Sequence, residues 1–195
     1  MTAPHPTKFQ LSLRGQRLIQ QWCELNGIDC PPVKRWAKVD WPFDACAYYR
    51  PTIINICDPK CASIGTAGRA WSYPGHAVDR TPYGVLAHEL GHHVDVLRST
   101  TVDRYRGNFS AELRRQSGEP KLTNYCPDDG EWFAEMFRLF VTNPDLLRGL
   151  RPRTHAALIE RGFAPLWSDD WRARLAGAPE RTMAINERRV GEVRS

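Results

Sequence analysis

The reading of this chain turns on Val85-Leu86-Ala87-His88-Glu89-Leu90-Gly91-His92-His93. Its apolar residues, continued by Val94, predict a buried helix. Thr81 is placed to cap it, Pro82 suits its first position, and it should run to about Arg98. On a helix, residues four apart stand one above the other, so His88 and His92 present two imidazoles on one face. That spacing suits one metal ion. Zinc takes imidazole nitrogens in tetrahedral geometry, and a catalytic site leaves one position to water. Glu89, beside the first histidine, is placed to take a proton from that water. Helices with merely packed or solvated histidines share the bare pattern. The apolar setting weighs against them, because buried polar groups need partners. Gly91 in mid-helix costs roughly 1 kcal/mol relative to alanine, which predicts close approach of another backbone or side chain. His93 faces elsewhere on the helix and reads as an ordinary polar residue.

Two histidines leave the site incomplete, and a carboxylate on a second buried helix is the leading third ligand. Glu131-Trp132-Phe133-Ala134-Glu135 puts two glutamates on one face of a helix expected over Glu131–Thr142. Trp132, Phe133, Met136, Phe137, Phe140 and Val141 make that helix strongly apolar. Buried carboxylates are costly unless paired or bound to a cation. In one arrangement Glu131 binds the metal, and Glu135 accepts a hydrogen bond from the other ring nitrogen of a ligating histidine. Spacing alone does not separate the two glutamates.

The pair of motifs, His-Glu-Leu-Gly-His at 88–92 and Glu-Trp-Phe-Ala-Glu at 131–135, resembles the gluzincin metallopeptidases. The nearest likeness is to the catalytic domain of the anthrax lethal factor type, where a Glu-Phe-Phe-Ala-Glu-Ala-Phe-Arg-Leu segment follows the histidine helix. Here the segment reads Glu131-Trp132-Phe133-Ala134-Glu135-Met136-Phe137-Arg138-Leu139. The resemblance implies a zincin-like fold and a zinc endopeptidase of phage or bacterial type. It makes Glu131 the third ligand, beside His88 and His92. Asp95, three residues after the second histidine, also matches, and would stand next to the ligands without binding the metal. Tyr125 lies one residue closer to the glutamate than the family's catalytic tyrosine, and would stabilise the oxyanion or donate a proton; His76 is an alternative in that role. The likeness covers about 82–142, roughly a third of the chain. It names no substrate beyond a protein or peptide.

Upstream, a helix is expected from a Ser12 cap to about Leu25, with Leu18, Ile19, Trp22 and Leu25 as its apolar stripe and Asn26-Gly27 as its stop. Strands are expected at Val33–Val39, Ala45–Tyr49 and Thr52–Cys57, giving a small, mostly antiparallel N-terminal sheet. The stretch 58–80 should line a cleft or run as a surface loop. Either 52–57 or 68–74 would offer an edge to an extended substrate. Downstream, short helices are expected near Ser110–Ser117, Asp145–Leu150, Arg153–Arg161 and Asp169–Leu175. The fold class is therefore α+β, in a single domain over 1–195, with 1–10 and about 177–195 as loose tails.

The chain has 195 residues and seven tryptophans, enough for a real core. No apolar run is long enough to span a membrane, and Met1-Thr2-Ala3-Pro4-His5-Pro6 lacks an export signal. A cytoplasmic protein is expected. The net charge of +5 gathers in C-terminal arginines, and would suit an acidic partner or nucleic acid as well as a solvated surface. Six cysteines are read as thiols first. Cys57 and Cys61 have zinc-ligand spacing, and with Cys23 and Cys30 they are candidates for a second, structural zinc. Two further readings stand beside the endopeptidase: a non-catalytic zinc-stabilised interaction module, and a regulatory protease dedicated to one protein.

Overall fold

The structure, a computed structural model, describes residues 8–61, 72–73, 76–77, 82–103, 106–122 and 126–165. Tyr125, the helix expected at 169–175 and the tail from 176 lie outside these residues. Helix α1 spans Lys8–Leu25. It starts before Ser12, which is fully buried inside it and accepts a hydrogen bond from Arg35 Nη2 at 3.2 Å. Ser12 is thus a tertiary anchor and not a cap. Leu18, Ile19 and Trp22 are buried, while Leu25 is exposed. The helix stops where expected: Gly27 takes φ 61°, and the Ile28 N–H reaches back to the Cys23 carbonyl at 2.9 Å.

Three strands follow, β1 (Val33–Arg35), β2 (Ala47–Arg50) and β3 (Ile53–Ile56). The strand expected over Val33–Val39 ends early, in a 3-10 turn at Lys38–Asp40. β2 and β3 form a tight antiparallel hairpin through Pro51-Thr52, with Thr52 at φ 69°. β3 then inserts between β2 and β1 and pairs with β1 in parallel. The edge expected at 52–57 is therefore the centre of the sheet, and β2 is an outer strand. Its central place explains why Ile54 and Ile56 are fully buried. Two short antiparallel ladders complete the strands: β4 (Ser72–Tyr73) with β5 (His76–Ala77), and β6 (Val102–Asp103) with β7 (Arg106–Gly107).

The helices are α2 (Pro82–Arg98), α3 (Phe109–Ser117), α4 (Asp129–Thr142), α5 (Pro144–Leu150) and α6 (Pro152–Glu160). Asp128 caps α4 by accepting the Glu131 N–H at 2.9 Å. Asn143 ends α4 and caps α5 through Leu146 N–H at 3.1 Å. α4 is buried on every side from Trp132 to Thr142, the expectation for a helix at the centre of a core. It packs against α2, which also contacts α1 and the sheet. Trp22, Phe133, Phe137 and Phe140 stack in the middle, with Trp22 edge-on to Phe137 at 4.9 Å. Each such side chain contributes about 1.5–3 kcal/mol by burial. Gly91 lies where α2 meets α4: a Cβ there would stand 2.9 Å from the Ala134 Cα. The glycine is the close approach of two backbones. The architecture is α+β, a small sheet followed by helices. No helix among the described residues is long and apolar enough to cross a membrane.

Candidate metal centre

One turn of α2 sets the His88 and His92 rings 5.0 Å apart, nearly perpendicular. The first turn of α4 brings Glu131 against both. Its Oε2 lies 3.1 Å from His88 Nε2, and its Oε1 lies 3.6 Å from His92 Nε2. Among the described residues these three form the one group of histidine, cysteine or acidic side chains whose ligand atoms fall within 4.8 Å of one another. Tetrahedral zinc with bonds of about 2.0–2.2 Å separates its ligand atoms by roughly 3.3–3.6 Å, so both measured spacings are close to what the ion requires. Oε2 of Glu131 is buried and faces His88 Nε2 without well-aligned hydrogen-bond geometry, an arrangement that a cation would relieve. The donor set of two imidazoles and a carboxylate fits zinc.

The electrostatics agree. Burial and the Arg138 guanidinium act to lower the His88 pKa, yet Glu131 and Glu135 raise it to about 9. Burial would raise Glu131, but the two imidazoles hold it well below the usual carboxylate range. The group draws positive charge to the point where the three side chains converge. Behind it, His88 Nδ1 lies 2.8 Å from Glu135 Oε1. With Nδ1 turned to Glu135, Nε2 is the ring nitrogen left to face Glu131 and His92. Glu135 is fully buried, and Arg138 Nη2 meets the same Oε1 at 2.5 Å. Burial acts to raise Glu135, but Arg138 and then His88 pull it below its ordinary value.

His88, Glu89, His92 and Glu131 line one open cleft of about 270 Å³. Ala47, Tyr48 and Tyr49 from β2 also line it, together with Asp95, Arg106 and Asp128. Glu89 is only 6 % exposed. Burial pushes it above the usual carboxylate range, with the two histidines opposing. That is the direction a general base working near neutrality needs.

Other expected residues fall differently. Asp95 lines the same cleft, and its carboxylate is taken up by backbone: Oδ1 accepts the Ser110 N–H at 2.7 Å and Oδ2 the Gly107 N–H at 3.1 Å. It ties the β6–β7 hairpin and the start of α3 to α2, because those backbone donors have no partner within their own elements. The four cysteines do not gather as a metal site. Cys23 and Cys30 are thiols in contact with each other at the end of α1. Cys57 and Cys61 bracket a 3-10 turn at Asp58–Lys60, and Cys61 Sγ turns back to the Cys57 carbonyl at 3.7 Å. Cys23 and Cys61 are absorbed by the hydrophobic core, which corrects the expectation of a second zinc there.

Sequence reasoning missed two features. His93 is a bolt between elements: its Nε2–H donates to the Asp29 carbonyl at 3.1 Å, so its Nδ1 accepts from the Tyr49 hydroxyl, also at 3.1 Å. Arg138 is the second, a 2 % exposed cation behind Glu135. Its signal was visible as the one basic residue in the apolar run 132–141. No family model, no curated protein and no solved structure matches this chain.

Proposed function

We propose that the chain is a zinc-dependent endopeptidase with a zincin-like fold. The observation that carries this reading is the carboxylate of Glu131 set against Nε2 of both His88 and His92, with Glu89 lining the same cleft. Held by His88, His92 and Glu131, zinc would supply Lewis acidity toward a scissile carbonyl and a water molecule. Glu89 takes the proton of the attacking water and passes it to the leaving amine. Glu135 keeps His88 turned with Nε2 toward the ligand set. β2 has a partner on one side only among the described strands, and an extended peptide backbone would add along it beside the cleft. The resemblance assigns Tyr125 to oxyanion stabilisation.

A purely structural zinc closes all four positions with protein ligands. The open cleft and Glu89 argue for chemistry over an interaction module. The described C-terminal arginines find partners inside the fold, while Arg172, Arg174, Arg188 and Arg189 lie outside the described residues. Arg148 pairs with Asp145, Arg151 donates to the Pro120 and Lys121 carbonyls, Arg153 to Gly118 and Arg161 to Gln116.

The test is zinc content and peptide hydrolysis measured on one preparation purified without a metal-affinity tag. The wild type is expected to hold one zinc per chain, lost in His88→Ala. Glu89→Gln should keep the zinc while hydrolysis of a broad peptide library falls by at least about 100-fold. Undiminished hydrolysis in Glu89→Gln would remove Glu89 as the base, and a wild type that takes up no zinc would remove the whole reading.

A further inference from the structure

We propose that Arg138 is a positioning residue of the metal centre, acting through Glu135 to fix the orientation of His88. The inference rests on the zinc reading above. Glu131, Glu135 and Arg138 occupy positions i, i+4 and i+7 of α4, one face of one helix. That face delivers in order a metal ligand, the partner of a ligand, and a cation behind the partner.

Three atoms form a tight triangle: Arg138 Nη2 to Glu135 Oε1 at 2.5 Å, Oε1 to His88 Nδ1 at 2.8 Å, and Nη2 to Nδ1 at 2.9 Å. A guanidinium only donates. If His88 is to present the Nε2 lone pair to a metal, its Nδ1 must also donate. Two donors then converge on one acceptor, Oε1, and the Nη2–Nδ1 side of the triangle is a consequence of that convergence and not a third hydrogen bond. Arg138 thus holds the carboxylate from one side while the imidazole reads its position from the other.

Packing alone gives no reason for an arginine here. Its neighbours on α4 are Phe137 and Leu139, and apolar residues in place of buried ion pairs are often neutral or stabilising. A planar, donor-only fork suits the task of fixing one carboxylate rotamer, and lysine matches its charge without its geometry.

The experiment titrates the full-length chain with Zn2+ against a chromophoric chelator, and follows the His88 ring nitrogens by 15N NMR. R138M is expected to bind zinc at least about tenfold more weakly, the range seen when outer partners of metal-bound histidines are lost. Its His88 Nδ1 signal should lose the shift of a strong hydrogen bond, and R138K should recover part of the affinity. E135Q/R138M keeps the idea testable if R138M does not fold, because it leaves no buried carboxylate without its guanidinium. An arginine acting through Glu135 predicts that the double variant binds no more weakly than E135Q alone. Wild-type affinity in R138M, or strictly additive losses in the double variant, would overturn the positioning role. A wild-type chain that binds no zinc would instead overturn the metal centre itself, and this inference with it.

Discussion

Glu131 and Glu135 are the same side chain, four residues apart, and they meet opposite edges of the same imidazole. Glu131 faces His88 Nε2 and also reaches His92, whereas Glu135 faces only His88 Nδ1. A metal bound at Nε2 therefore takes Glu131 as its ligand and leaves Glu135 behind the ring. Glu131→Ala should abolish stoichiometric zinc binding, while Glu135→Ala should weaken it by about 10–100-fold. Chelator competition separates the two, and equal losses would leave the ligand unassigned. His93 shows how far one position matters. Its neighbour His92 turns into the cleft, but His93 turns to Tyr49 and Asp29 and joins α2 to β2 and to the turn after α1.

The candidate centre comes together because two helices pack closely. α2 brings the histidines and Glu89, α4 brings Glu131, and their contact at Gly91 and Ala134 leaves no room for a methyl group. Gly91→Ala would gain up to about 1 kcal/mol of helix propensity. Against that, a Cβ 2.9 Å from backbone must push the helices apart, and overpacking of this kind costs typically about 1–3 kcal/mol. The expected outcome is a lower urea midpoint together with weaker zinc binding, because the shift carries Glu131 away from His88 and His92. An unchanged midpoint with unchanged zinc affinity would show that α4 yields without moving its first turn. Asp95 works at the same scale, since it fastens the hairpin bearing Arg106 to the end of the histidine helix.

Across the described residues the hydrophobic core packs without the side chains of the candidate metal centre. Trp22, Phe133, Phe137 and Phe140 are fully buried around α4, with the ligands at the rim of that core. Removing zinc with a chelator should therefore lower Tm without abolishing the fold. Ligand linkage sets the size, about 2.7 kcal/mol at a zinc concentration a hundredfold above Kd. Thermal denaturation followed by circular dichroism checks this. Loss of helical signal at 25 °C on chelation would mean that the metal holds the fold together, as it does in small zinc domains.

Local rules determined much of this protein from its sequence. The spacing of His88 and His92 put both on one face of α2 whatever else the chain did, and Gly27 marked the end of α1 through backbone chemistry that acts within a few residues. Gly91 announced a close contact because a helix tolerates glycine poorly. The apolar run of α4 announced a buried helix, and with it two glutamates in need of partners. What the sequence could not determine was which distant group each side chain would meet. The tertiary structure alone put β3 in the middle of the sheet, gave Asp95 to the backbone of α3, turned Ser12 into a partner for Arg35, and kept Cys23 and Cys30 away from a site with Cys57 and Cys61. It also set Arg138 behind Glu135 and Glu131 across from both histidines. Helical periodicity is fixed by hydrogen bonds four residues apart, whereas these partnerships depend on how α1, α2, α4 and the sheet pack, and packing is decided by the whole core at once.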